Sequence, residues 1–165
     1  MRRRLLLFVA APACGLLGLA ASVAAAPGVL LVNESPSLPR GLYRRTASAT
    51  PALGDIVVLA PPADARGYLA SLGAPPDARL LKRVAATTGQ RVCALDGSVR
   101  VEAHALAVKV QDRRGVTLPA WRDCRALDVH EIFVAGDSAD SFDSRYFGPV
   151  RHAAVSGVYR EVLTW

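Results

Sequence analysis

The sequence predicts a mostly β domain, either a barrel or a folded-over sheet, preceded by one N-terminal transmembrane helix. Short apolar runs separated by Gly-, Pro- and Asp-rich turns recur from residue 54 to the C-terminus, which is typical of short strands. Residues 5–32 carry no charged side chain and directly follow three arginines. A chain of 165 residues has room for one folded domain in addition to such a segment.

The apolar segment 5–32 predicts a membrane anchor. A helix over about 5–26 would be roughly 33 Å long, enough to cross a hydrocarbon core of ~30 Å. A cleavable signal peptide is the alternative, since small residues stand at 24–26, but its apolar core usually spans only ~7–15 residues. The arginines at 2–4 favour a cytoplasmic N-terminus. We therefore expect residues 1–4 in the cytoplasm, an anchor over 5–32, and a domain over 33–165 outside.

The charge of the chain indicates no nucleic-acid partner. The formal net charge is +6, and the arginines at 2–4 supply three of these charges, which leaves +3 for the rest of the chain. This excess is too small to indicate a nucleic-acid-binding surface. Weak attraction of the protein to anionic lipid headgroups of the membrane is the milder expectation.

The domain after the anchor begins with an extended, turn-rich segment and continues in short strands. Two prolines and a glycine in residues 33–43 argue against a helix there. An Asp-Gly pair at 96–97 predicts a hairpin turn. One short helix is expected near 66–72. The predicted strands lie at 56–59, 80–86, 91–95, 98–101, 106–110, 132–135 and 154–163.

Two of the three cysteines lie in the part of the chain expected outside the membrane. Cys14 stands in the apolar segment and is expected to be an inert packing residue. Cys93 and Cys124 lie in the exported part, where oxidation is permitted, and we expect them to pair. Two separate buried thiols are the alternative.

Lys82 is the first candidate for chemistry. The chain has 18 arginines and only two lysines, so a lysine kept at this position suggests a role that arginine cannot perform. In a strand, Lys82 shares a face with Leu80 and Val84. Burial lowers the pKa of a lysine from ~10.4 toward neutrality, and a neutral amine can take the proton of a serine hydroxyl. An ion-paired or snorkelling lysine is the alternative.

Two further segments could complete a site with Lys82. Ser37 lies between Pro36 and Leu38-Pro39, in a stretch with little conformational freedom that can hold a hydroxyl in one position. The loop 136–150 is dense in polar residues and could be a solvated loop with Asp–Arg pairs. Its carboxylates at 137, 140 and 143 are also compatible with calcium, but no glutamate stands at the expected closing position.

Taken together, three segments after an anchor resemble the type I signal peptidase family of Ser–Lys serine proteases. The segments are NESPSLPRGLY (33–43), LKRV (81–84) and GDSADSFDSRYFGPV (136–150). The resemblance implies a signal-peptidase-like catalytic β domain that needs no metal or other cofactor. It also implies a role for six residues, in which Ser37 is the nucleophile, Lys82 the general base, Ser35 an oxyanion donor, Ser141 the residue that orients Lys82, and Asp143 with Arg145 a bracing ion pair.

The first and third segments are more similar to the TraF-type branch of this family than to housekeeping enzymes, and the exported part is too small for a large inserted β domain. This resemblance implies a periplasmic catalytic domain at the bacterial inner membrane that acts on precursor pilin or another signal-bearing exported protein. Cleavage could end in hydrolysis or in circularisation, with the conjugative transfer machinery as a further partner. A general type I signal peptidase is the alternative enzyme. A non-catalytic, membrane-tethered β module of a secretion system is the alternative of another class.

Overall fold

The computed structural model describes residues 29–165, which form eleven strands, two helices and one 3-10 turn. The helices are α1 (Ala63–Ser71) and α2 (Ser144–Phe147), and the 3-10 turn is His152–Ala154. The strands are β1 (Leu30–Asn33), β2 (Gly41–Arg45), β3 (Ile56–Leu59), β4 (Leu80–Ala86), β5 (Arg91–Leu95), β6 (Ser98–Val101), β7 (His104–Ala107), β8 (Cys124–Ala126), β9 (Glu131–Ala135), β10 (Val150–Arg151) and β11 (Val155–Thr164).

The strands form two sheets, which confirms the predicted mostly β class. The larger sheet has seven strands in the order β1-β2-β11-β3-β4-β9-β10, and the smaller has four in the order β7-β6-β5-β8. The neighbours β3, β4 and β9 pair antiparallel at the centre of the larger sheet. The last long strand, β11, pairs on one side with β2 and on the other with β3, so it joins the N-terminal strands to the centre.

The core lies on the central strands of the larger sheet and continues into the smaller one. All four residues of β3 are buried, because this strand lies between β11 and β4. Phe133 of β9 and Ala86 of β4 pack with Val92 and Val99 of the smaller sheet. Burying a valine or phenylalanine side chain contributes about 1.5–3 kcal/mol, so these contacts hold the two sheets together.

Several elements differ from the expected positions. The helix expected near 66–72 is α1 and starts earlier, at Ala63, directly after Pro62, whose fixed φ suits the residue that precedes a helix. The strand expected at 106–110 is β7 and ends at Ala107, because a turn with φ +50° at Glu102 starts the return strand early. The strands β1, β2, β8 and β10 and the helix α2 were not expected as separate elements.

The predicted transmembrane helix over about 5–26 lies outside the described residues. Neither helix in residues 29–165 has the length and apolar character needed to span a bilayer. The first strand begins at Leu30, within the range 5–32 assigned to the anchor.

A disulfide joins Cys93 and Cys124 in the smaller sheet. The two residues face each other in the register of β5 and β8. Since β8 has only three residues, few backbone hydrogen bonds hold it, and the covalent link fixes it to β5.

The Cys93→Ser/Cys124→Ser double variant should be less stable than the native chain by about 3–4 kcal/mol. The bond closes a loop with a sequence separation of 31, and a cross-link of that size removes unfolded-state entropy of this order. Urea denaturation of both proteins under oxidising conditions measures the difference. Adding a reductant should bring the native chain to the stability of the variant and leave the variant unchanged.

Candidate active site

The turn that carries Ser37 is shaped by the side chain of Asn33, the last residue of β1. Asn33 is only 5% exposed. Its amide nitrogen donates to the carbonyl oxygens of Ser35, Leu38 and Pro39 at 3.1, 3.1 and 3.0 Å. Its carbonyl oxygen accepts from the backbone N–H of Ser35 at 3.1 Å. One buried amide thus fixes the backbone on both sides of Ser37.

The same turn is held to the sheet by packing. Leu38 is 2% exposed and packs in a cluster with Tyr43 of β2 and Leu81 of β4. The Tyr43 hydroxyl donates to the carbonyl oxygen of Pro39 at 2.6 Å. Since Leu38 directly follows Ser37, its burial sets the direction in which the Ser37 side chain leaves the turn.

Lys82 lies at the centre of β4, opposite Val57, and is 3% exposed. Its Nζ is 2.6 Å from Ser37 Oγ and 2.9 Å from Ser141 Oγ. Both partners are neutral hydroxyls, so neither balances the charge of an ammonium. Burial is the largest influence and lowers the pKa of Lys82 from its ordinary 10.5 to about 8, while Asp143 raises this pKa and Arg145 lowers it.

This arrangement can move a proton from a serine hydroxyl to an amine. With a pKa of about 8, roughly a tenth of Lys82 is neutral at pH 7, whereas an ordinary lysine is almost wholly charged. The lone pair of the neutral amine can accept the proton of Ser37 Oγ across the 2.6 Å contact. Ser141 then fixes the position of Nζ from a second direction.

A buried ion pair holds the loop that carries Ser141. Asp143 caps the first turn of α2 and accepts from Arg145 Nε and Nη2, both at 2.8 Å. Both residues are at most 3% exposed. Arg145 also donates to the carbonyl oxygens of Ala107, Ser138 and Ser141 at 3.0–3.1 Å. The desolvated charges are therefore paired and hydrogen-bonded, which such a pair requires.

Gly136 permits the Ser37 turn and the Ser141 loop to touch. A Cβ at position 136 would lie 2.7 Å from the carbonyl oxygen of Ser37 and closer still to Ser141 Oγ. In the same place, the backbone N–H of Asp137 donates to the Ser37 carbonyl at 2.7 Å. The Gly136 N–H in turn donates to Asp143 at 2.8 Å. Only glycine fits between these groups.

The three carboxylates of the loop point to separate cations and do not converge on a calcium ion. Asp137 pairs with Arg83 of β4 at 2.9 Å. Asp140 pairs with Lys109 and Arg113. Asp143 pairs with Arg145, as described above. The loop is therefore held by ion pairs of its aspartates with arginines and one lysine, as the solvated-loop alternative of the sequence analysis expected.

Ser35, the expected oxyanion donor, is exposed at the start of the turn. Its Oγ donates to the Asn33 side-chain oxygen at 2.9 Å. The hydroxyl proton is thus directed at Asn33, and donation to an oxyanion requires rotation of this hydroxyl and loss of the bond to Asn33.

The structure therefore brings Ser37, Lys82 and Ser141 together, with Asp143 and Arg145 behind them. Cys93 and Cys124 lie in the smaller sheet. Sequence reasoning placed Asn33 and Gly136 at the start of the first and third segments but assigned neither a role. A polar residue directly after the apolar run and a glycine directly after a strand were the available signals.

The chain is similar in sequence to a signal peptidase family and to plasmid and conjugal transfer proteins. The family model described as signal peptidase, peptidase S26, matches residues 2–165. A conjugal transfer protein TraF from Agrobacterium tumefaciens (strain 15955) is 38% identical over 176 residues, covering 99% of this chain and 97% of that protein. A plasmid transfer protein TraF from Escherichia coli is 37% identical over 148 residues, covering 81% of this chain and 82% of that protein.

A solved structure is also similar. The crystal structure of a signal peptidase I from Enterococcus faecalis V583 shares 26% identity with this chain and aligns with a TM-score of 0.40. The match covers 66% of this chain and 96% of that chain.

The lowered pKa of Lys82 can be measured directly, because the sequence contains only one other lysine. In a Lys109→Arg variant, the single remaining Nζ signal in NMR should titrate with a midpoint near 8. Burial disfavours the charged form, so the ammonium should be lost as the pH rises through this value. A midpoint above 10 would show that the amine is solvated or paired with an anion.

Gly136→Ala should destabilise the fold by about 1–3 kcal/mol, because the added methyl group overlaps the Ser37 carbonyl and Ser141. It should also shift the Nζ signal of Lys82, since Ser141 must move. Gly67→Ala is the matched control, because a Cβ at that position of α1 meets no atom within 4 Å. The control should be neutral or stabilising by up to about 1 kcal/mol. Equal thermal shifts in the two variants would contradict the packing argument.

Proposed function

Since the chain belongs to the S26 signal peptidase family, in its TraF-type branch, we propose that it is a Ser–Lys serine endopeptidase that cleaves exported precursor proteins. The observation that carries this proposal is the position of Lys82 Nζ, buried 2.6 Å from Ser37 Oγ and 2.9 Å from Ser141 Oγ. A non-catalytic β module would have no use for a buried amine whose only close partners, among the described residues, are hydroxyls.

The reaction begins when neutral Lys82 takes the proton of Ser37 Oγ. The oxygen attacks the scissile carbonyl carbon, and the carbonyl electron pair moves to the substrate oxygen, which becomes an oxyanion. Ser141 holds Nζ in line during the transfer because it bonds the amine from the other side. Holding the two groups in contact before reaction lowers the barrier by removing the entropy of bringing them together.

The oxyanion is stabilised by the backbone N–H of Ser37 and, after rotation, by the Ser35 hydroxyl. Within residues 29–165, the Ser37 N–H donates to no acceptor, so it is available. Asn33 fixes the backbone on both sides of this N–H and so directs it. The loss of one oxyanion donor typically slows catalysis by ~10²–10³.

The oxyanion then collapses and the peptide C–N bond breaks. The Lys82 ammonium gives its proton to the leaving amine, which departs, and Ser37 remains as an ester of the substrate. Water then attacks the ester carbonyl while Lys82 takes a proton from it as base. The bond between the acyl carbon and Ser37 Oγ breaks, the Lys82 ammonium returns its proton to Oγ, and the substrate leaves as a carboxylate. A substrate amine in the place of water forms a new peptide bond and closes a ring.

We infer the biological setting from the relatives and from the N-terminal sequence. The relatives are named as plasmid and conjugal transfer proteins, which supports a precursor pilin as substrate and the conjugative transfer machinery as partner. The uncharged segment 5–32 after three arginines supports a single anchor in the bacterial inner membrane, with a cytoplasmic N-terminus and the site on the periplasmic side.

Ser37→Ala and Lys82→Arg should each abolish cleavage of a co-expressed precursor pilin. Arginine keeps the charge but stays protonated and cannot act as base. Arg100→Lys, which exchanges the same two side chains at an exposed position of β6 far from the site, is the matched control and should keep at least half of the activity. Gel mobility of the precursor and mass spectrometry of the product measure the outcome. Cleavage by Lys82→Arg at more than about 1% of the native rate would exclude Lys82 as the base.

A further inference from the structure

A cavity of about 580 Å³ opens beside the turn that carries Ser37. Pro36 and Ser138 form one wall, and these residues flank the contact between the Ser37 turn and the Ser141 loop. The opposite wall comes from Tyr68 and Leu72, in and just after α1, and from the segment 109–118. Any molecule in this cavity therefore lies beside the turn that carries the proposed nucleophile.

The base of the cavity is aromatic. Phe142 lies with its ring centre 4.5 Å from that of Tyr68 and 5.3 Å from that of Tyr146. Leu72 at the mouth is 48% exposed, and Leu118 is half-buried. Such a surface favours an apolar or aromatic side chain over a polar one.

The rim of the cavity has hydrogen-bond donors in excess. Arg40 lines it, and its guanidinium makes no hydrogen bond or ion pair with any of residues 29–165. Arg113 bonds Asp140 through one nitrogen, and its side chain is 85% exposed. An arginine carries five N–H donors, so most of these groups are unused.

The two carboxylates at the rim are already paired. Asp140 pairs with Lys109 and Arg113. Asp112 accepts from the Tyr68 hydroxyl and from Arg114, each at 3.1 Å. The unused charged groups around the cavity are therefore positive, and a ligand with a carboxylate complements them.

We propose that this cavity binds the substrate polypeptide beside the scissile bond, with an apolar side chain on the aromatic base and a neighbouring carboxylate at Arg40 and Arg113. The inference rests on the proposed peptidase function, because the cavity matters to a substrate only if Ser37 reacts. The carboxylate belongs to an Asp or Glu side chain of the substrate. The enzyme would then select substrates by these neighbouring residues as well as by the residues of the cleaved bond.

Binding is measured on the full chain in detergent as the Ser37→Ala variant, so that bound peptide is not consumed. The probes are fluorescent peptides with an alanine cleavage site and a Phe-Glu pair moved through the three positions on each side. Matched peptides carry Phe-Gln. At the best position, Phe-Glu should bind about threefold to fivefold more tightly than Phe-Gln, the size expected of exposed charge pairs. The difference should shrink as salt is added.

Adding Arg40→Gln should reduce the preference for Phe-Glu, and adding Arg113→Gln as well should bring the two peptides to equal affinity. The control is Arg100→Gln, which removes the same charge from an exposed position on β6 of the smaller sheet and should leave the ratio unchanged. Arg40→Glu should reverse the preference, so that a Phe-Lys peptide binds more tightly than Phe-Glu. This reversal separates a charge contact from general damage to the turn.

Equal binding of Phe-Glu and Phe-Gln at every position would overturn the proposal. An unchanged ratio of the Phe-Glu and Phe-Gln affinities in Arg40→Gln would also overturn it. If that variant instead loses binding to phosphatidylglycerol vesicles, Arg40 faces lipid and not the substrate. Because binding is scored without turnover, its failure is distinct from failure of the peptidase proposal. Failure of the peptidase proposal would appear as unchanged precursor cleavage by the Ser37→Ala variant.

Discussion

The Lys82 amine is buried with neutral hydroxyls as its hydrogen-bond partners, and charging it there is unfavourable. The surrounding structure has to keep the amine buried and free of an anionic partner. A carboxylate in contact with Nζ would restore the ammonium, and open access to water would do the same. The site avoids both, since β4 passes through the centre of the larger sheet and the two serines occupy the positions an anion would take.

The Asp143–Arg145 pair shows how a charged scaffold can lie behind such an amine without cancelling the effect of burial. Asp143 alone raises the pKa of Lys82, and Arg145 alone lowers it, so together they leave burial dominant. The pair is bidentate, and Arg145 uses its other N–H groups on loop carbonyls. A neutral scaffold would hold the loop less firmly, while an unpaired Asp143 would keep Lys82 protonated.

The strand of Lys82 could be predicted because the pattern of apolar residues along it is a local property. The scarcity of lysine in the whole chain drew attention to Lys82 itself. The grouping of Ser141 with Lys82 came from family resemblance and not from spacing, since 59 residues separate the two. Gly136 was part of the third segment, but its role could not be predicted because its constraint is the approach of Ser37, far away in sequence. The role of Asn33 was missed for a different reason, since a polar residue after an apolar run reads equally well as the end of an anchor. Four residues of α2 are too few for a helical period.

The smaller sheet also contributes to the site through the segment before β8. Trp121 lies three residues before Cys124, and its ring centre is 5.6 Å from that of Phe133 in β9. Its backbone N–H donates to the carbonyl oxygen of Arg145 at 3.2 Å, and its ring lies against Gly148, where a Cβ would be 2.7 Å away. The disulfide holds β8 and therefore fixes the C-terminal end of this segment. Trp121 thus contacts α2 through the backbone of Arg145, while Asp143 caps the first turn of the same helix. The disulfide-linked sheet therefore supports the helix whose Arg145 side chain holds the carbonyl of Ser141.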